Sequence, residues 1–209
     1  MYMPKAFEET DPQILAELMR AFSFALIVTN GDDGPFGTHV PLHLDTDGER
    51  PTLFGHLAKA NENWRAFDGD TPALVVFQGP HAYISPSWYE SPGMVPTWNY
   101  AVVHAHGRPR VIKDDAGAAD VLRRLVGDYE SEATRNWSMD SLPDKMIAAQ
   151  LKGIVAFEIP IERLEGKWKM SQNRMPEDAQ GAATGLEGLG GEENTTVAAI
   201  MRDRLKTRG

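Results

Sequence analysis

The stretch of the sequence best suited to hold a ligand is GHLAKANENW, residues 55–64. A strand-like apolar run ends at His56, Lys59 follows, and an Asn-rich turn leads into a short helical segment. A histidine and a lysine beside the free backbone N–H groups at the start of a helix attract anions, above all phosphate. An ordinary capped turn with a solvated lysine has the same pattern, so an anion site and a structural turn both stay open.

A second stretch, HAYISPSWYESPGMVPTWNY at residues 81–100, concentrates aromatic and proline side chains. Its prolines exclude a regular helix. Large, rigid rings with polar tips suit stacking on a flat ligand, and they suit equally well a plug over one end of a barrel. The rings that bracket its second half are Trp88, Tyr89, Trp98 and Tyr100.

Other kinds of catalytic site have weaker support. The chain has no cysteine, which excludes disulfides, thiolate catalysis and cysteine-ligated metals. His39 and His43 would lie about 13 Å apart along a strand, too far to share one ion. His104 and His106 share a strand face, but no acidic ligand follows at tight spacing, so no metal site is predicted. No Gly-x-Ser-x-Gly, Walker or dinucleotide motif occurs, and catalytic residues stay unknown.

Charge and hydropathy limit the partners. A formal net charge of −9 disfavours phosphate backbones, and no helix-turn-helix or zinc-finger spacing occurs, so direct nucleic-acid binding is not expected. No apolar run approaches the ~18 residues of a membrane span. The first residues lack a signal-peptide pattern. A cytoplasmic protein is the expectation.

The elements that must position these residues indicate a mainly β protein with peripheral helices. Strand-like segments follow one another in groups rather than alternating strictly with helices, which favours an antiparallel barrel. Strands are predicted at 24–30, 38–44, 51–57, 72–79, 81–85, 98–112 and 153–161. Helices are predicted at 11–22, 114–130, 141–153 and 194–205, the last with Asn194 as its cap.

The C-terminal part has a different composition. Residues 166–174 are polar and basic, and the Gly-rich residues 181–191 follow no strand, so they are predicted to form a flexible linkage. We therefore predict a domain of residues 1–165 and a C-terminal extension of residues 166–209, whose terminal helix packs on the same domain.

Six segments of the sequence resemble the PaiB family of FMN-binding negative transcriptional regulators. They follow in order over residues 1–174 and several are long and unusual. Glu62 departs from the family, which usually has proline there, and this changes the stiffness of the turn rather than its chemistry. The segments are MYMPKAF, GTHVPL, GHLAKANENW, GPHAYISPSWY, VPTWNYAVVHAHG and KWKMSQNR.

The resemblance implies an antiparallel split β-barrel of the flavin-reductase or pyridoxamine-phosphate-oxidase type, and a homodimer with FMN in a groove at the subunit interface. It makes the turn after the third strand the phosphate or ribityl site, the aromatic strand the wall of the isoalloxazine ring, and the SQNR segment a closing element. The cofactor-binding residues that it implies are Thr38, His39, His56, Lys59, Asn63, Trp98, Asn99, Tyr100, Ser171, Gln172, Asn173 and Arg174.

The resemblance also implies regulation through flavin binding or redox sensing rather than through direct readout of bases. A flavin-dependent oxidoreductase that acts on a small substrate is an alternative on the same site. A haem-binding split barrel and a direct DNA-binding repressor are further alternatives, because the fold alone does not fix the function.

Overall fold

Strands dominate the computed structural model, which describes residues 1–31, 34–135 and 137–206. The described residues form strands β1 Glu8–Glu9, β2 Phe24–Gly31, β3 Gly34–Pro41, β4 His43–Asp45, β5 Thr52–Ala58, β6 Ala73–Ile84, β7 Thr97–Gly107, β8 Arg110–Val111 and β9 Ile154–Lys169. Helices are α1 Pro12–Ala21, α2 Asp115–Tyr129, α3 Asp144–Leu151, α4 Pro176–Leu189 and α5 Glu192–Lys206. The predicted class, mainly β with peripheral helices, is confirmed.

The main strands lie in the order β3-β2-β6-β7-β9-β5-β4, and β1 and β8 also pair with β9. Every pairing with a defined register is antiparallel, for example Leu26 with Val76 and Gly55 with Phe157. Three neighbouring pairs in this order, β2–β3, β4–β5 and β6–β7, are consecutive along the chain, as short antiparallel connections allow, whereas parallel strands need long crossovers.

The chain divides into two compact units. The terminal unit comprises residues 1–18, 78–103 and 165–209, and the central unit comprises residues 19–77 and 104–164. Strands β6, β7 and β9 contribute residues to both units. The predicted division after residue 165 stays a prediction. No helix in the described part of the chain is long and apolar enough to cross a membrane.

The core of the central unit is apolar and closely packed. The ring of Phe157 is fully buried and meets the ring of Phe67 edge-on, with 4.9 Å between centroids. Helix α2 begins where the side chain of Asp114 accepts a hydrogen bond from the backbone N–H of Gly117. Its buried residue Leu125 packs in one cluster with Ala156 of β9.

Residues 181–191 were predicted as a flexible linkage, and this prediction is wrong. Most of them belong to helix α4, whose small residues lie against the short 3₁₀ turn Pro86–Trp88. A Cβ on Gly181 would overlap the backbone carbonyl of Trp88, and one on Gly185 would overlap the Trp88 ring. Glycine is required here by close approach, not by flexibility, and composition alone does not separate the two.

Several predicted boundaries also change. The strand predicted at 38–44 is two strands, separated at Leu42, whose backbone N–H bonds to the carbonyl of Ser23. Proline at position 41 ends the first of them because it cannot donate to a ladder. Segments 72–79 and 81–85 form the single strand β6, and segment 98–112 divides into β7 and β8.

Three further boundaries lie in the last third of the chain. Strand β9 continues to Lys169 rather than ending at 161, because its last part pairs with β1. Helix α3 begins at Asp144, and helix α5 begins at Glu192, before the predicted cap. The side chain of Asn194 instead donates to the carbonyl of Gly190.

Candidate functional site

A network of amides and hydroxyls ties the turn after β5 to the β2–β3 hairpin. Asn63 is buried; its amide oxygen accepts from Thr29 Oγ1 at 2.5 Å and its amide nitrogen donates to Thr38 Oγ1 at 3.1 Å. Asn61 donates to the same Thr38 oxygen at 3.2 Å. Its side-chain oxygen accepts from the Asn63 backbone N–H at 3.0 Å and so caps the turn Glu62–Ala66.

The hydroxyl of Thr38 has a donor that this network does not use. A hydroxyl oxygen offers two lone pairs, and both are engaged by the amides of Asn61 and Asn63. Among the described residues, none accepts a hydrogen bond from this hydroxyl. Thr38 is half-buried, so its O–H group is available to an acceptor that lies against the turn.

Lys59 begins the same turn with its backbone fixed and its side chain exposed. Its N–H donates to the carbonyl of Gly153 at 2.9 Å, and its carbonyl accepts from Trp64 Nε1 at 3.0 Å. No residue in the described ranges forms a salt bridge or hydrogen bond with the Lys59 ammonium. The turn therefore presents a positive charge on a hydrogen-bonded backbone, and an anion could accept a charge-assisted hydrogen bond from it.

His56 contributes a neutral ring rather than a second cation. Burial lowers the pKa of His56, so the imidazole is uncharged at pH 7. Its Nδ1 atom is buried, and nothing in the part of the chain that the structure describes bonds to it. The positive charge of the predicted cradle thus comes from Lys59.

We expect stability to fall more steeply between pH 7 and pH 5 in the wild type than in a His56→Gln variant. The folded-state pKa of His56 lies below the value of about 6.5 in the unfolded chain. As the pH drops through this value the unfolded chain takes up the proton first, so the folded state loses stability. Urea unfolding at pH 7, 6 and 5 measures this difference. Parallel pH profiles for the two proteins would contradict it.

Other histidines of the central unit have ring contacts of their own. His39 is exposed and stacks on Phe24 with 5.9 Å between ring centroids, because it projects from the opposite face of β3 to Thr38. Its predicted place in the cofactor site stays a prediction. His104 and His106 share one side of β7, with centroids 6.5 Å apart. The predicted absence of a metal site likewise stays a prediction.

In the terminal unit, β6 and β7 carry an exposed aromatic face formed by His81, Tyr83, Trp98 and Tyr100. The Trp98 side chain is 54% exposed, and its ring centroid lies 5.9 Å from that of His81 and 6.1 Å from that of Tyr83. Asn99, between Trp98 and Tyr100, is completely buried. The predicted alternation of this strand is therefore confirmed.

The amide of Asn99 is engaged inside the terminal unit. Its Nδ2 atom donates to Ser171 Oγ at 3.0 Å and to Met201 Sδ at 3.3 Å. Ser171 has a φ of 62°, a left-handed conformation that is uncommon for serine. Gln172 folds back so that its Nε2 atom donates to the carbonyl of Trp168 at 2.5 Å. These contacts fix the SQNR turn at the end of β9.

The other half of the SQNR turn lies beside the Pro-rich loop after β6. The Arg174 guanidinium stands over the ring of Tyr89 at 5.5 Å and donates to Met94 Sδ at 3.7 Å. Asn173 is exposed. Buried Asp178 anchors the loop, accepting from the backbone N–H groups of Glu90 and Ser91, each at 2.9 Å.

The predicted cofactor residues fall into two groups, one in each unit. The central unit brings Thr38 and Asn63 into direct contact and places Lys59 in the same turn. The terminal unit does the same for Asn99 and Ser171. The role of each in a cofactor site stays a prediction. Sequence reasoning missed Thr29, Asn61 and Lys169; only Asn61 had a signal, because Asn before a helical segment is a typical cap.

Comparison with known proteins identifies the family. The family described as "Putative FMN-binding domain" matches residues 1–163. "Protease synthase and sporulation protein PAI 2" of Bacillus subtilis (strain 168), its PaiB protein, is 37% identical over 209 residues, which cover 99% of each chain. The chain belongs to the PaiB family. The segments that carry the PaiB resemblance therefore belong to a relationship over the whole chain.

Solved structures show the same fold for this PaiB protein. The flavocytochrome Anf3 from Azotobacter vinelandii matches with a TM-score of 0.62 and 15% identity, over 80% of this chain and 72% of that one. The FAD and heme binding protein from Mycobacterium smegmatis matches with a TM-score of 0.55 and 17% identity, over 78% and 73%. The predicted antiparallel split β-barrel is confirmed. At this identity the likeness concerns the fold alone.

Proposed function

We propose that the protein is a cytoplasmic, FMN-binding homodimer with its cofactor groove at the subunit interface. It acts in negative transcriptional regulation through bound flavin, by sensing or redox change, and does not read DNA bases itself. FMN supplies electron-transfer chemistry when bound, and the chain supplies binding, orientation and electrostatics.

The observations that support FMN most directly are the unused donor of Thr38, which Asn61 and Asn63 hold in place, and the ammonium of Lys59 at the start of the same described turn, which has no partner among the described residues. A phosphate ester offers several acceptor oxygens and a negative charge, and it would accept from both groups at once. Asn61 and Asn63 hold Thr38 in place without competing for the ligand, because their amides are already engaged. Family membership agrees with this choice of ligand.

Support for a regulatory role comes from the Bacillus subtilis relative, whose name links it to protease synthesis and sporulation. The net charge of −9 disfavours contact with a nucleic-acid backbone. Regulation through the redox or binding state of the flavin, rather than through binding to DNA, agrees with the name of this relative and with the acidic charge of the chain.

Lys59→Ala is expected to weaken FMN binding by about tenfold or more. One charge-assisted hydrogen bond is worth roughly 1.5–3 kcal/mol, and each 1.4 kcal/mol changes affinity tenfold. Titration followed by flavin fluorescence measures the effect. Lys145→Ala, which removes an exposed lysine of helix α3, is the matched control and should bind as the wild type does. Unchanged affinity in Lys59→Ala would place the phosphate elsewhere.

The remaining parts of the proposal are tested on the purified protein. We expect a flavin absorbance spectrum with added FMN, and a dimer in sedimentation. A haem spectrum in place of a flavin spectrum would favour a haem-binding protein. Oxidation of a reduced nicotinamide with turnover would favour an oxidoreductase, and salt-dependent DNA binding would favour a direct repressor. A monomer that holds FMN would exclude the interface groove.

A further inference from the structure

Lys169 is held against β7 at the edge of the aromatic face. Its ammonium donates to Thr97 Oγ1 at 2.5 Å and to the backbone carbonyl of Trp98. Lys167 lies over the ring of Tyr100, with 5.4 Å between Nζ and the centroid. Side chains two residues apart on a strand project from one face. Lys169 therefore lies on the same side of the sheet as the rings of Trp98 and Tyr100.

The charge of Lys169 has no carboxylate partner among the described residues. Burial lowers the pKa of this lysine, and repulsion from Arg174 and Lys167 lowers it further. An ammonium group has three N–H donors, and neutral oxygens engage two of them. A half-buried cation without a counter-ion costs free energy that an anion at the third donor would recover.

The aromatic rings beside Lys169 face solvent, where a ligand can stack on them, and are not part of the buried core. Trp98 is 54% exposed and Tyr83 is 47% exposed. Their strand neighbours Ala82, Ile84 and Asn99 are buried, so the core lies on the other side of these strands. A contiguous patch of exposed aromatic rings is typical of an interaction or ligand-binding surface.

We infer that Trp98 and Lys169 bind a planar heteroaromatic ring that carries negative charge at its edge. The ring stacks on Trp98, and the third N–H of Lys169 donates to the anionic edge. A stacking surface together with one fixed cation selects this class over neutral or purely aliphatic ligands.

The identity of the ring rests on the proposed function, under which it is the isoalloxazine of FMN. This ring would carry one negative charge near neutral pH after taking up two electrons from an added reductant, such as dithionite, and one proton from water. Lys169 therefore binds the reduced flavin more tightly than the oxidised flavin, which raises the midpoint potential.

The test compares three variants with the wild type. Lys169→Met removes the charge at similar length, Lys169→Arg keeps a cation, and Lys152→Met changes an exposed lysine as a control. Stepwise reduction of bound FMN with dithionite gives its midpoint potential relative to that of free FMN. The difference gives the ratio of the affinities for reduced and oxidised flavin. Lys169→Met should lower this ratio about tenfold, or about 30 mV for a two-electron couple. The other two variants should keep the wild-type ratio.

Folding is controlled separately. Thermal unfolding of Lys169→Met should match or exceed that of the wild type, because an unbalanced half-buried charge is removed. Trp98→Leu changes an exposed position and should weaken the binding of both flavin forms. The inference is overturned if Lys169→Met binds FMN with the wild-type ratio of affinities for reduced and oxidised flavin. It is also overturned if Trp98→Leu binds FMN with the wild-type affinity.

A wild-type protein that does not bind FMN would refute the proposed function and not, by itself, the ring site. The second arm then uses quinoline-2-carboxylate, a planar heteroaromatic carboxylate, in isothermal titration calorimetry. Binding by the wild type and Lys169→Arg, lost in Lys169→Met and Trp98→Leu, supports a site for a separate aromatic anion. No binding of either probe by the wild type overturns the inference.

Discussion

Replacing Gly181 with alanine is expected to lower the free energy of unfolding by about 2 kcal/mol or more. The added Cβ would overlap the backbone carbonyl oxygen of Trp88. A backbone atom cannot swing aside as the end of a flexible side chain can, so helix α4 and the turn Pro86–Trp88 must separate. That separation also disturbs the adjacent loop, which Asp178 anchors. Urea unfolding followed by circular dichroism measures the loss.

Gly188 provides a matched control in the same helix. A Cβ there would meet no atom of the described chain within 4 Å. Alanine is a better helix former than glycine, so Gly188→Ala is expected to stabilise the protein by up to about 1 kcal/mol. Effects of opposite sign at the two glycines would separate steric overlap from helix propensity. A Gly181→Ala variant as stable as the wild type would show that α4 does not lie against Trp88.

Asn63→Ala is expected to cost about 2–3 kcal/mol of stability. The substitution removes both hydrogen bonds of the buried amide and leaves the hydroxyl of Thr29, which is 3% exposed, without its acceptor. Leaving the Thr29 hydroxyl unsatisfied accounts for about 1–2 kcal/mol of this cost, and the lost bond to Thr38 adds about 1 kcal/mol. Urea unfolding reports the loss of stability. FMN titration should show weaker binding as well, because Thr38 loses one of the amides that orient it.

A double-mutant cycle tests whether this cost arises in the network. Thr29→Val removes the hydroxyl that Asn63 accepts, with little change of shape. In that background Asn63→Ala should cost about 1 kcal/mol less than in the wild type, because no hydroxyl is left unsatisfied. Strictly additive losses would mean that Thr29 and Asn63 do not interact in solution.

Features that depend on nearby residues could be predicted from the sequence. The alternation of β7 separates Trp98 and Tyr100 from Asn99 because successive side chains of a strand point to opposite faces. The turn after β5 could be placed because Asn-rich segments before a short helix are typical caps. The position of Lys59 in this turn follows from the same local pattern.

Features that depend on distant partners could not be predicted. Strand β9 reaches Lys169 because Glu8 pairs with Lys167. The periodicity of neither segment predicts this pairing. Asn63 is buried because Thr29, 34 residues away in sequence, donates to it. The composition of helix α4 is that of a linker, and only the close approach of Trp88 explains its glycines. The charge of Lys169 attracts notice only when the lack of a carboxylate around it is known.

The composition of the terminal unit has a consequence for how the chain folds during synthesis. Residues 1–18 join residues 165–209 in this unit, and β1 has no strand partner other than β9 in the described residues. At roughly 5–20 residues per second, the first segment waits on the order of ten seconds or more for its partner to leave the ribosome. Most of the central unit, which ends at residue 164, leaves the ribosome during this time. We expect the pairing of β1 with β9 to form last, because β9 is the last strand to leave the ribosome.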